Sequence, residues 1–165
     1  MAGVANRGYF EERLQRAWSA AQSERHPLGL IMIDIDRFKQ LNDSYGHQVG
    51  DRVLIAFAES CQALLRSDDR LARFGGEEFA VLLDGVSLRN AMKRAKGICE
   101  AVASASYAVD NEDKSGHFAV TVSVGVAEMR REDSVEAIVK RADDALYLAK
   151  RQGKNRAVAE TDLNA

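Results

Sequence analysis

The sequence predicts an α+β domain in which a central, mostly antiparallel sheet is flanked by helices with ferredoxin-like connectivity. Two observations carry that prediction. Leu28 to Ile33 is apolar on both faces, as a strand buried between layers must be. Further on, Leu71 to Phe74 and Phe79 to Leu83 flank Gly75-Gly76, so two strands adjoin in a hairpin and break the strict βαβα order of a doubly wound sheet. With 165 residues, 46% of them apolar, the chain has room for one core and not for a second full domain.

In chain order, Tyr9 to Arg25 reads as a helix. Phe10, Leu14, Ala17, Trp18 and Ala21 recur at three and four until His26-Pro27 stops it. The buried strand follows and ends on Asp34-Ile35-Asp36. A short helix through Phe38 and Leu41 breaks at Tyr45-Gly46, and a longer one presents Val49, Val53, Leu54, Phe57, Cys61, Leu64 and Leu65 on one stripe. After the hairpin, with a two-residue turn at Gly75-Gly76, Leu88, Ala91, Met92, Ala95, Cys99 and Val102 mark another helix. Phe118, Val120, Val122, Val124 and Val126 alternate with small or polar residues, which predicts one strand with a single apolar face. Val135, Ile138, Val139, Ala142, Leu146 and Ala149 define the last helix, opened by a capping box at Asp133 and Glu136 and stopped at Gly153. Asn155 to Ala159 adds an edge strand. The expected organisation is one domain over 1–165: an N-terminal helical segment at 1–26, a core at 27–159 and a tail at 160–165.

Composition removes several classes of function. Lysine and arginine total 23 against 25 acids, so a net charge of −2 supplies no global field for a polyanion, and nucleic-acid binding is not expected. Apolar runs reach six residues, at Leu28 to Ile33 and Val53 to Ala58, far short of the roughly 20 that a spanning helix needs. No membrane segment and no secretory leader is read, which points to the cytoplasm. Cys61 and Cys99 fall on apolar helical stripes as small hydrophobes, and no Cys/His spacing suits zinc. The G-x-x-x-x-G-K-[ST] and G-x-G-x-x-G phosphate loops are absent, as is H-E-x-x-H. Ser123-x-Gly125 lacks the first glycine of a nucleophile elbow.

What remains is carboxylate chemistry. Asp34 and Asp36 leave the first strand, Glu77 and Glu78 follow the glycine turn, and the two groups converge if that strand and the hairpin are neighbours. Clustered carboxylates repel and resist desolvation unless a cation joins them, and hard oxygen donors select Mg²⁺. On spacing alone, four solvated caps remain an equal reading.

Gly75-Gly76-Glu77-Glu78-Phe79 resembles the signature of the GGDEF-family diguanylate cyclases, in its GGEEF variant. The resemblance continues in order through Asp34-Ile35-Asp36-Arg37-Phe38-Lys39, Leu41-Asn42-Asp43, Tyr45-Gly46-His47, Gly50-Asp51 and Arg73-Phe74. Ser123-Val124-Gly125-Val126-Ala127, Ala142-Asp143, Ala145-Leu146-Tyr147, Ala149-Lys150 and Gly153-Lys154-Asn155-Arg156 complete it. It implies a fold similar to the palm of nucleotide cyclases and polymerases, and an enzyme that condenses two GTP into cyclic di-GMP with release of two pyrophosphates. By position, Asp34, the carbonyl of Ile35 and Glu77 would hold Mg²⁺, with Mn²⁺ as an alternative. Glu77 or Glu78 would assist deprotonation of the attacking hydroxyl, Glu77 with the larger share. Asn42 and Asp51 would meet guanine, with His47 nearby, and Lys150, Lys154 and Lys39 would meet phosphates.

Arg66-Ser67-Asp68-Asp69, five residues before the signature, is spaced like the family's R-x-x-D inhibitory site, so Arg66 and Asp69 would bind the product. The family's secondary arginine has no obvious counterpart, since Gly97 stands where it is sought, with Lys93 and Arg94 nearby. The opening motif D-x-L-T-G-L-x-N-R survives as Met1-Ala2-Gly3-Val4-Ala5-Asn6-Arg7, and the upstream regulatory domain typical of the family is missing from this chain. One GTP per subunit implies a homodimer, in a bacterial second-messenger pathway. A nucleotide sensor that keeps Arg66 and Asp69 without catalysis, or a dimerisation module without nucleotide, are the readings from other classes.

Overall fold

The computed structural model describes residues 4–110, 115–131 and 134–164. Its elements are α1 (Arg7–Glu24), β1 (Leu28–Ile35), α2 (Phe38–Tyr45), α3 (His47–Ala63), β2 (Arg70–Arg73), β3 (Glu78–Asp84), α4 (Leu88–Ser104), β4 (Tyr107–Asp110), β5 (Ser115–Phe118), β6 (Val122–Glu128), α5 (Val135–Arg151) and β7 (Arg156–Ala159). A 3-10 turn, Glu160–Asn164, follows. The expected α+β class holds. Five strands form one sheet in the order β2-β3-β1-β6-β7, antiparallel except for the parallel β6–β7 pair, and β4–β5 is a separate hairpin.

β1 is buried along its whole length, and its side chains divide by the period of two. Ile31, Ile33 and Ile35 enter a core with Val53, Leu54 and Phe57 of α3 and Ala95 and Ile98 of α4. Leu28, Leu30 and Met32 enter a second core with Phe10, Leu14 and Trp18 of α1 and Ile138, Ala142 and Leu146 of α5. The sheet is thus covered on both faces. Local chemistry sets the helix ends: the Asn6 side chain accepts from Tyr9 N at 2.8 Å, and Ser134 Oγ accepts from Ala137 N at 3.1 Å. The capping role expected of Asp133 falls outside the described residues, and Ser134 is the N-cap of α5. Gly46, at φ 90°, closes α2 and opens α3 in a conformation that suits glycine.

Several expectations need correction. The single strand expected over Phe118 to Val126 is two: β5 ends at Phe118, and β6 begins at Val122. Nor has β6 one apolar face, because its first six residues are buried on both sides. The small residues Ser123, Gly125 and Ala127 face a helix instead of water. A Cβ on Gly125 would run into Ala142 O and Leu146 N and stand 2.9 Å from Leu146 Cα, so the backbone of α5 lies directly on the strand. The Gly75-Gly76 hairpin turn is wider than two residues, since Arg73 pairs with Phe79 and Phe74 N donates to Glu78 O at 2.7 Å. Neither glycine is in the left-handed region. Leu64 lies past the end of α3 and is exposed, off the expected stripe. The expected tail is anchored by Glu160, which is buried and accepts from Arg141 Nε at 2.6 Å. At the other end, Ala5 forms a parallel bridge to Ala72: its N–H donates to Leu71 O at 3.1 Å, and its carbonyl accepts from Arg73 N at 3.0 Å.

Two outcomes are expected. Gly125→Ala overpacks the β6–α5 contact and should cost about 1–3 kcal/mol, read as a fall of several degrees in Tm by calorimetry. An unchanged Tm would mean that α5 shifts freely. Burial pushes the Cys61 and Cys99 thiols up to about 12, so neither should react with Ellman's reagent at pH 8 until the protein is unfolded, when both should.

Candidate active site

The site forms where β1 ends between β3 and β6. Asp34 is opposite Glu78 in the β1–β3 register and opposite Ser123 in the β1–β6 register. One residue on, Ile35 N donates to Glu77 O at 3.2 Å, and Asp36 N donates to Thr121 O at 2.9 Å. The two carboxylate groups of the sequence therefore do converge. The turn that carries Glu77 is held by Arg73, whose Nε donates to Gly75 O at 3.1 Å and Nη2 to Gly76 O at 2.8 Å. A Cβ on Gly76 would meet nothing within 4 Å, which leaves that backbone open to a ligand.

Asp36 and Asp34 have different work. Asp36 is buried and accepts from Thr121 Oγ1 at 2.6 Å, Ser123 Oγ at 2.6 Å and Asn155 N at 3.0 Å. It joins the end of β1 to β6 and to the start of β7. Two left-handed residues, Lys154 and Asn155, turn the chain back from α5 toward that carboxylate, and Arg37, also left-handed, turns it out of β1 into α2. Asp34 is also buried, with its Oδ2 on the Lys150 ammonium. Burial raises its pKa above the ordinary carboxylate value. Lys150 opposes that rise, and the nearby charges of Glu77 and Asp36 reinforce it.

One cavity of about 320 Å³ brings together Asp34, Ile35, Asp36, Lys39, Glu77, Lys150 and Lys154. Six of the residues expected from sequence at the metal and phosphates thus share a wall. Glu78 is exposed at the first position of β3, where alternation turns it away from its neighbour Glu77, and it is not in that wall. It raises the pKa of Asp143 on α5 instead, second to desolvation as the cause and ahead of Asp144. Asn42, His47 and Asp51 stand outside the cavity on α2 and α3, although α2 begins in its wall at Phe38 and Lys39. Asn42 Oδ1 is buried without a hydrogen-bond partner.

Among the described residues no three His, Cys, Asp or Glu side chains are grouped as a metal cage. Two carboxylates beside a main-chain carbonyl nevertheless suit a hard cation such as Mg²⁺, which takes few protein ligands and completes its shell with water and phosphate oxygens. The donor set fits.

Arg66 and Asp69 lie apart, in a second cavity of about 410 Å³ with Gln62, Leu65, Arg70 and Leu71. Asp69 accepts from Arg66 N at 2.8 Å and pairs with the Arg94 guanidinium from α4. Arg94 was one of two nearby basic residues in sequence, and only the fold distinguishes it from Lys93. Thr121, Ser123 and Asn155 were not candidates at all, because a hydrogen bond to a residue more than 80 positions away leaves no local pattern.

The family profile described as diguanylate cyclase, GGDEF domain, matches residues 1–156. The chain belongs to that family. The diguanylate cyclase DgcM of Escherichia coli is 39% identical over 159 residues, which are 96% of this chain and 37% of that protein. This GGDEF chain thus spans little more than a third of that relative. The solved GGDEF domain of DgcB from Caulobacter crescentus, in complex with c-di-GMP, superposes with a TM-score of 0.89 at 34% identity, covering 96% of this chain and 92% of that one. The active GGEEF domain of a diguanylate cyclase from Vibrio cholerae gives a TM-score of 0.86 at 32% identity, covering 95% and 97%.

The raised pKa of Asp34 has a consequence for stability. A carboxyl whose folded pKa exceeds its unfolded value favours the fold when protonated, and that contribution is lost as pH rises through the folded pKa. In EDTA, Asp34→Asn should therefore have a higher Tm than the wild type at pH 7, and the gap should close as pH falls toward the ordinary aspartate range near ~3.9. A wild type more stable than Asp34→Asn at pH 7 would contradict it.

Proposed function

We propose that this domain is the catalytic part of a diguanylate cyclase that joins two GTP into cyclic di-GMP and releases two pyrophosphates. The observation that carries the reading is the single cavity lined by Asp34, Ile35 and Glu77 beside Lys39, Lys150 and Lys154. Each of the two bonds formed is between a 3′-oxygen of one nucleotide and the α-phosphorus of the other. The proton leaves the attacking hydroxyl, and the pyrophosphate departs with the electron pair of the broken P–O bond.

The residues divide that work. Asp34, the Ile35 carbonyl and Glu77 hold Mg²⁺, or Mn²⁺ in its place, which when bound offsets the triphosphate charge and acidifies the hydroxyl. Lys150, Lys154 and Lys39 bind phosphate oxygens, since a triphosphate carries more negative charge than one cation offsets. Glu77, in the cavity wall, is favoured over the exposed Glu78 to receive the proton, with Glu78 as an auxiliary. Asp51 accepts from guanine N1–H and the 2-amino group, Asn42 meets the same base, and His47 lies close to the nucleotide. Adenine offers neither of those two donors, so GTP is selected over ATP.

One GTP per subunit leaves each cavity half of a site, and two protomers must face each other as a homodimer for reaction. Arg66 and Asp69 take up the product and inhibit, with Arg94 adding a second guanidinium beside Asp69. The setting is second-messenger signalling in the bacterial cytoplasm. No helix among the described residues is long and apolar enough to cross a membrane.

The test is incubation with GTP and Mg²⁺ over a range of protein concentrations, with nucleotides resolved by chromatography. Cyclic di-GMP should form with a greater than first-order dependence on protein, and Glu77→Gln should lower turnover by at least about 10³-fold. Absence of product at high protein, with cyclic di-GMP still bound, would favour the sensor reading, and a fully active Glu77→Gln would refute the assignment of that residue.

A further inference from the structure

A helix interior is an unfavourable place for glycine, yet Gly50 occupies the fourth position of α3, buried and without a positive φ. The reason lies across the helix pair. A Cβ at this position would collide with Asn42 Oδ1 of α2, and would stand 3.0 Å from Asn42 Cγ and 3.2 Å from Phe38 Cζ. The absent side chain is the space in which the Asn42 amide is seated.

That seat also decides which end of the amide faces outward. Asn42 Oδ1 is buried with no hydrogen-bond partner, in the space that a Cβ on Gly50 would take. The reverse arrangement would put the two N–H donors of the amide into that seat, and two buried unmatched donors cost more than one unmatched acceptor. With its oxygen turned in, Asn42 presents Nδ2 as a donor. Guanine has an acceptor, O6, where adenine carries an amino donor, so a fixed donor at this point discriminates between the bases in the same sense as the Asp51 acceptor.

We propose that Gly50 is a positioning residue for base selection: its missing side chain locks the Asn42 amide with the donor end toward the nucleobase. The proposal rests on the reading of Asn42 as a guanine contact. Gly50 touches no substrate, and its effect passes entirely through Asn42.

The test compares Gly50→Ala, Asn42→Ala and the double variant by calorimetric titration with 3′-deoxy-GTP and 3′-deoxy-ATP in Mg²⁺, nucleotides that lack the attacking hydroxyl. Asn42→Ala should weaken 3′-deoxy-GTP binding by about tenfold, the loss expected of one hydrogen bond, and Gly50→Ala by a similar factor. The double variant should be no weaker than Asn42→Ala alone, because residues that act through one another do not add. Binding of 3′-deoxy-ATP should change little in any of them, whereas a general folding defect would lower both. The double variant should also melt at or above the Tm of Asn42→Ala, since alanine then fills vacated space and favours the helix. If Gly50→Ala binds 3′-deoxy-GTP within twofold of wild type while Asn42→Ala does not, or if the two losses multiply, the role of Gly50 is refuted. If Asn42→Ala itself binds normally, the guanine contact is refuted, and the positioning role with it.

Discussion

The carboxylate of Asp36 is the point on which the site depends. Just past the end of β1, it is reached by two segments remote in sequence: the start of β6 with Thr121 and Ser123, and the turn at Asn155 that opens β7. A buried charge is tolerable only when donors surround it, and each donor here is drawn to one place. That convergence holds the end of β1 in register, which in turn sets Asp34 under α5 and Ile35 against the backbone of Glu77. Asp36 thus organises the cavity that Asp34 and Glu77 occupy.

The second constraint is steric. Gly125 lets α5 rest on β6 at backbone distance, and the height of that helix determines where Lys150 in its last turn and Lys154 just beyond it stand relative to Asp34. A bulkier residue at 125 would lift the helix and its cations together. Burial raises the pKa of Asp34 even with Lys150 upon it, the usual mark of a site whose charges are arranged for a ligand at some cost to the fold.

Much of this was legible in the residues. The apolar run of β1 and its terminal acids, the period of α5 and the glycine turn predicted which groups would meet, and the family motifs named the same ones. Side-chain bonds between distant elements were not legible: Ser123 has no local pattern that points to Asp36, and Arg94 none that points to Asp69. Alternation misled at β6, because small residues lie beneath a tightly packed helix as readily as they face water. Glycine spacing misled at the 75–76 turn, where the pair keeps ordinary backbone angles and only Gly76 faces open space.

The bridge between Ala5 and Ala72 bears on how copies of the domain can meet. β2 is an edge strand of four residues, and an exposed edge is a template on which a neighbouring chain can add a strand. Leu71 O and Arg73 N, the groups such a strand would use, are already taken by Ala5. The sheet is shielded there from edge-to-edge growth, which favours association through side chains over open-ended stacking of strands.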